Sequence, residues 1–313
     1  GYLGCSTRHA LKFFDPALFS TSDSYHAEMV RLARQISALQ QLYHPNLVGC
    51  EAFTSYDDVG VLVMELVDGL NIRKVLDQTA HNTLKDQVIT EEWEHFNSIV
   101  FSDKSTGLQP GLAFYILRKI LRGLDVLHRI GYVHGDIKPS NVMVDRFGTV
   151  KLIDFGRATQ IKNPGKHFLA SPMYMAPELH ERRSPSPQTD LYSCGMVMME
   201  MLCGGPLIDT FSKEDQIVEF KRDLPESIGD FLERSVRRNR DLMRVLKGLL
   251  NNDPAERYQS ANEADNGTEG ARVIHQQLVK ADLDFDYGLE LENYVATRLP
   301  RSKVVGRRPI NPR

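Results

Sequence analysis

The spacing of apolar positions divides the chain into two unlike parts. RHALKFF, residues 8–14, has the apolar content of a strand. AEMVRLARQISALQQL, residues 27–42, repeats Met29, Leu32, Ile36, Leu39 and Leu42 at helical spacing, and VGVLVMELV, residues 59–67, reads as a buried strand. Residues 1–67 therefore predict a small α+β unit. From about residue 110 the period turns helical: Pro110 suits a first turn, and Leu117, Ile120, Leu121, Leu124 and Leu127 line one apolar face. Further helices are predicted near 188–203, 213–220, 227–235 and 239–250.

Two stretches escape this pattern. Residues 76–108 are polar, hold the single tryptophan, Trp93, and show only weak helical periodicity in TEEWEHF, which predicts an inserted loop with a special role or a mobile segment. After ERYQSANEA the chain passes through DNGTEG into a helical stretch around 270–298. It ends in RSKVVGRRPINPR, a basic tail expected to be solvated rather than a partner-binding arm. No internal repeat is visible.

Composition narrows the class. With 313 residues, 42% hydrophobic and 25% charged, the chain fits one large two-lobed domain or two small ones. A formal net charge of −3 with dispersed basic residues argues against a nucleic-acid groove. Cys5, Cys50, Cys194 and Cys203 have no CxxC or Cys/His metal spacing and, Cys5 apart, sit in apolar or mixed runs, which predicts buried free thiols in a reducing, cytoplasmic compartment. No run approaches the roughly 20 apolar residues of a membrane span, and no signal-peptide pattern opens the chain, so a soluble piece is expected. It starts abruptly in the strand-like GYLGCSTRHALKFF, as though cut from something longer.

Candidate chemistry concentrates in VHGDIKPSNVMVDRFGTVKLIDFG, residues 133–156. NVMV and TVKLID flank DRFG, whose aspartate and glycine suit a turn, so a β-hairpin is predicted. The midpoint between Asn141 and Asp154 falls between Phe147 and Gly148, inside that turn, and the hairpin brings the two side by side at its open end. An amide and a carboxylate there offer hard oxygens, and Mg²⁺ takes one or two carboxylates together with substrate phosphates. Asp136, in the loop just before, can face the same point, where a carboxylate accepts a hydroxyl proton or orients the hydroxyl for attack. Taken singly, each of the three is better read as a turn-forming polar residue.

The ordered set is more specific. HGDIKPSN, then DFG thirteen residues after the asparagine, then MAPE, resembles the protein-kinase family over about residues 1–263. The resemblance implies an α+β, two-lobed protein-kinase fold. Its β-rich N-lobe would span 1–67, incomplete at the start, and its helical C-lobe 68–263, with an insertion at about 76–108 and a C-terminal extension over 264–313. It implies a serine/threonine protein kinase that uses ATP and Mg²⁺ on a protein substrate. Asp136 matches the catalytic-loop aspartate, Lys138 the lysine beside the γ-phosphate, Asn141 the second-metal ligand and Asp154 the main Mg²⁺ ligand. Lys12 matches the strand lysine that holds the α- and β-phosphates.

VLVMELV resembles the strand and hinge that meet adenine. Met64 would guard the back of the pocket, the backbone of Glu65 and Val67 would bond the base, and Ala10 and Met143 would close on either side of the ring. SPMYMAPE resembles the segment that seats a peptide substrate, Asp190 matches a helix aspartate bracing the catalytic loop, and Glu178 and Arg257 match a buried ion pair. Small-molecule kinases usually lack the APE segment, and Lys138 with Ser171 favours a serine or threonine acceptor over tyrosine.

Three departures qualify the resemblance. Only Gly1 and Gly4 precede Lys12 in place of a glycine-rich loop, so the piece begins after the loop, lacks residues there, or comes from a protein without one. Gly135 stands where many family members have an arginine that receives an activating phosphate. Gln35 stands where the family has glutamate, and Glu28, seven residues earlier, is roughly 10 Å away along a helix. Gln35 would then accept only a weak bond from Lys12, leaving that helix face to a regulatory partner, and Gln35→Glu should raise the rate. The alternative reading is a pseudokinase acting as a scaffold.

Overall fold

A computed structural model describes residues 8–101, 107–164, 171–208, 213–281 and 286–299. Gly1, Gly4, Cys5 and the basic tail over 301–313 lie outside them. The N-terminal part is a three-stranded antiparallel sheet with one long helix: β1 (His9–Phe14), α1 (Ser22–Leu39), β2 (Cys50–Tyr56) and β3 (Val59–Glu65), in the order β1-β3-β2. Burial alternates along β1, with His9, Leu11 and Phe13 outward and Ala10, Lys12 and Phe14 inward, as a period of two requires. That alternation aims Lys12 at the cleft side of the sheet. Helix α1 starts at a capping box in which Thr21 and Ser24 bond each other's backbone N–H, and it buries Tyr25, Leu32, Gln35, Ile36 and Leu39.

The chain crosses through β4 (Gly69–Asn71) into a helical part: α2 (Ile72–Val75), α3 (Gln78–Asn82), α4 (Thr90–Ile99) and α5 (Pro110–Arg129). Where the sequence predicts a loop over 76–108, two helices form, and Leu76, Leu84, Phe96, Val100, Phe101 and Leu108 join the main core. The polar residues that mask this periodicity form its outer face. Leu117, Ile120, Leu121, Leu124 and Leu127 of α5 are all buried.

Next come β5 (Tyr132–Val133), β6 (Val142–Asp145), β7 (Val150–Leu152) and β8 (Thr159–Gln160), with β4-β6-β7 and β5-β8 as small antiparallel sheets. The remaining helices are α6 (Pro177–His180), α7 (Pro187–Cys203), α8 (Glu214–Ser227), α9 (Arg234–Arg238), α10 (Arg240–Leu250), α11 (Ala261–Asn266), α12 (Ala271–Ala281) and α13 (Tyr287–Arg298). Helix α7 is apolar almost all round and buried along nearly its whole length, so its polar residues Asp190, Ser193 and Glu200 are carried into the interior, where each needs a partner. Cys50 and Cys194 are buried free thiols and Cys203 is half-buried; burial pushes Cys50 and Cys203 up to about 12, which keeps them protonated.

Candidate active site

The predicted hairpin forms, with Val142 opposite Leu152 and Met143 opposite Lys151. Ile153 donates its N–H to the carbonyl of Asn141 at 3.0 Å, which sets Asn141 and Asp154 at the open end. The parts meet through backbone bonds: Val48 N donates to Leu152 O, and Leu152 N to Asn46 O, each at 2.9 Å. Lys151 adds an ion pair to Glu65 at 2.9 Å, so the strand that faces Met143 also holds the end of β3. Ala10 lies opposite Met64 in the β1–β3 register, and Ala10, Met64, Val67 and Met143 are all half-buried.

The loop before the hairpin hangs from α7. The Asp190 carboxylate accepts from His134 N (2.7 Å), Gly135 N (2.9 Å) and His128 Nε2 (2.8 Å). Burial acts to raise this carboxyl, but His128 above all, with the Gly135 N–H, holds it below the ordinary range. His134 accepts at Nδ1 from Asp136 N at 3.3 Å, and its Nε2 lies 3.1 Å from Ile153 O, so the ring ties the loop to the end of the hairpin. Gly135 has φ +75°, a conformation that favours glycine.

Asp136 is buried yet surrounded by donors. Oδ2 accepts from Lys138 Nζ at 2.7 Å and Asn141 Nδ2 at 3.2 Å, and Oδ1 accepts from Ser171 Oγ at 2.8 Å and Arg157 Nη1 at 3.4 Å. Burial opposes ionisation, but Lys138, Ser171 and the Arg157 charge together hold the carboxyl below its ordinary value. Asn141 also donates to Asp136 O at 2.8 Å, so both its N–H groups point at Asp136.

Asp154 sits at φ +64°, and its Oδ1 accepts from Lys12 Nζ at 2.5 Å and Gly156 N at 3.2 Å. Burial again opposes ionisation, and Lys12 overrides it, holding Asp154 below its ordinary value. A Cβ built at Gly156 would lie 3.1 Å from Lys12 Nζ and 3.2 Å from Asp154 Oδ1, so a side chain at this position would crowd the pair.

Gln35 does not meet Lys12. Its Nε2 donates to the Phe155 carbonyl, and its Oε1 accepts from Arg31 Nη1 at 2.7 Å. The expected Lys12–Gln35 bond is thus replaced by two links: Lys12 to Asp154 directly, and α1 to the backbone after Asp154. Arg31 adds to the second by donating to Gly156 O at 2.8 Å and Ala158 O at 3.4 Å. Arg31 escapes a reading of the sequence, although its place one turn before Gln35 marks the same helix face. Also missed is a chain that runs inward from the surface, in which Arg73 donates to Tyr174 Oη at 3.1 Å and Tyr174 Oη to the buried Glu200 Oε2 at 2.6 Å. Glu178 and Arg257 form the expected buried pair, bidentate at 2.8 Å on both oxygens.

Comparison with known proteins places the arrangement. The protein kinase domain family matches residues 8–266, and the chain belongs to that family. It is 28% identical to a probable serine/threonine-protein kinase, PknB, of Lactococcus lactis over 180 residues, 56% of this chain and 25% of that protein. It is 28% identical to a probable serine/threonine-protein kinase of Clostridium perfringens over 244 residues, 74% of this chain and 30% of that protein. It is 30% identical to the human ribosomal protein S6 kinase alpha-6 over 184 residues, 57% of this chain and 22% of that protein. The chain thus spans a third or less of the length of these relatives. No helix among the described residues is long and apolar enough to cross a membrane.

Proposed function

We propose that the chain is an active, Mg²⁺- and ATP-dependent protein kinase that phosphorylates serine or threonine. The observation that carries this reading is Asp136, kept ionised in a buried loop and bonded through Oδ1 to a hydroxyl, that of Ser171. An acceptor hydroxyl that takes the Ser171 position would be oriented by Oδ1 and lose its proton there. Lys138, 2.7 Å from Oδ2, supplies the positive charge beside the transfer.

The residues present fit a bound Mg²⁺ and nucleotide. Among the described residues no cluster of three or more His, Cys, Asp or Glu could hold a metal ion alone, which suits an ion that completes its shell with phosphate oxygens. Asp154, held ionised, and the oxygen of Asn141, whose N–H groups are spent on Asp136, would be the protein ligands. Lys12, beside Gly156, whose missing side chain leaves the pair uncrowded, would hold the phosphates, and Ala10, Met64, Glu65, Val67 and Met143 the base. Bound Mg²⁺·ATP supplies the phosphoryl group and charge neutralisation, while the chain's own residues position and take the proton.

One observation favours the alternative of a pseudokinase: the helix contributes no carboxylate to Lys12. A transfer assay with radiolabelled ATP and a generic basic protein decides between the two. Label on serine or threonine supports the enzyme, and nucleotide binding without transfer supports the scaffold.

A further inference from the structure

Lys221 is fully buried. On α8 it occupies the apolar stripe between Ile217 and Leu224, at the i, i+4, i+7 spacing where a leucine would be ordinary. Its three N–H bonds have three acceptors: Pro172 O at 2.5 Å, Met175 O at 2.6 Å and His180 Nε2 at 3.1 Å. His180 in turn faces Glu214 Oε1 from Nδ1 at 3.1 Å, so its tautomer presents a lone pair to the ammonium. Burying an ammonium costs several kcal/mol unless its donors are all met. Burial pushes Lys221 down to about 7, with Glu178 and Glu214 opposing.

Two of the acceptors, the carbonyls of Pro172 and Met175, belong to the segment that begins at Ser171, which touches Asp136. This segment has no sheet or helix ladder, and its carbonyls are satisfied one by one. Ser171 O accepts from Tyr174 N and Met175 N, Tyr174 O from Ser193 Oγ, and Pro172 O and Met175 O from Lys221. Without Lys221, the Pro172 and Met175 carbonyls at either end of the turn would each lose the ammonium that ties them to α8. We infer that Lys221 is a positioning residue for the protein acceptor, holding segment 171–175 in the shape against which the acceptor lies. This rests on the protein-kinase reading above. It assigns to α8 a part in acceptor binding, while Lys12 and Asp154 bond each other and Gly156 rather than this segment.

The test compares steady-state kinetics of wild type and Lys221→Met for a generic basic protein and for ATP. The expected result is a KM for the protein raised about tenfold or more, with the KM for ATP within about twofold and kcat at saturating protein within about threefold. No change, or an equal loss in both KM values, overturns the inference. If Lys221→Met does not fold, His180→Phe, which removes one acceptor from the ammonium, decides the matter. A several-fold rise in the protein KM alone supports the inference, and unchanged values overturn it. Wild-type protein that binds Mg²⁺·ATP but labels no protein defeats the kinase reading itself, and a transfer-competent wild type with an indifferent Lys221 defeats only this inference.

Discussion

Gln35 donates from Nε2 to the backbone carbonyl of Phe155, across 120 residues of sequence, and so joins the middle of α1 to the residue after Asp154. The bond needs an N–H that glutamate does not have. In Gln35→Glu a carboxylate oxygen would face that carbonyl, in a site where residue 35 is 4% exposed. Arg31 offsets part of this loss, since it already donates to Oε1. The variant is expected to lose about 1–3 kcal/mol of stability and to transfer phosphate several-fold more slowly, opposite to what a simple return to the family residue suggests. Denaturant unfolding and initial rates check it; a faster, equally stable variant would mean that residue 35 can turn to Lys12.

Asp136→Asn keeps the shape of the loop but removes the base. Its amide cannot accept at the nitrogen, so one of the bonds from Lys138 or Ser171 is lost. Transfer should fall by about 10²–10⁴-fold, with the nucleotide Kd within a few-fold of wild type. Near-normal turnover would remove Asp136 from the reaction.

The fold and much of the site were legible for one reason: they rest on local period and on spacing within a single hairpin. The positions of Asn141 and Asp154 follow from a turn halfway between them, whereas Lys12, which alone reads as an exposed strand end, is reached only through its match to the family. Contacts between distant elements left no such trace. Lys221 reads as a surface lysine until α8 is packed, and the partner of Gln35 is a carbonyl, which no residue type announces.

Residues 76–108 hid for a related reason. Their apolar positions are few, but they converge: Phe96 is 2% exposed and packs edge-on against Tyr294 of α13, ring centroids 5.5 Å apart. Phe96→Ala should destabilise the protein by about 3–5 kcal/mol in denaturant unfolding. A loss near zero would show this stretch to be the peripheral loop that its composition suggests.

Activity is expected not to need phosphate on the segment over 157–175, of which 165–170 lie outside the described residues. Gly135 offers no guanidinium to pair with one. At Ser171 a phosphate would stand against the Asp136 carboxylate, which its hydroxyl now contacts at 2.8 Å. Phosphatase-treated protein should therefore keep most of its rate. A tenfold loss, restored by rephosphorylation at Thr159 or Ser171, would contradict this.

Asp154→Ala tests the metal site and the Lys12 pair with separate readouts. With nucleotide, wild type should melt higher mainly when Mg²⁺ is present, and the variant should lose that metal-dependent shift. Without nucleotide, the variant loses an ion pair whose side chains are 35% and 33% exposed, so solvent screening limits the fall in Tm to about 4 °C. The pH dependence has a definite sign. Asp154 is held below its ordinary 3.8 in the folded state, so as pH falls the unfolded chain takes up the proton first. The stabilisation is complete well above 3.8 and is lost as pH falls through the lower folded value. The Tm difference between wild type and variant should accordingly be flat from neutrality down to about pH 5 and shrink below that. A difference that grows on acidification would mean that Lys12 does not hold Asp154 ionised, and a Mg²⁺-dependent shift that survives the substitution would move the metal away from Asp154.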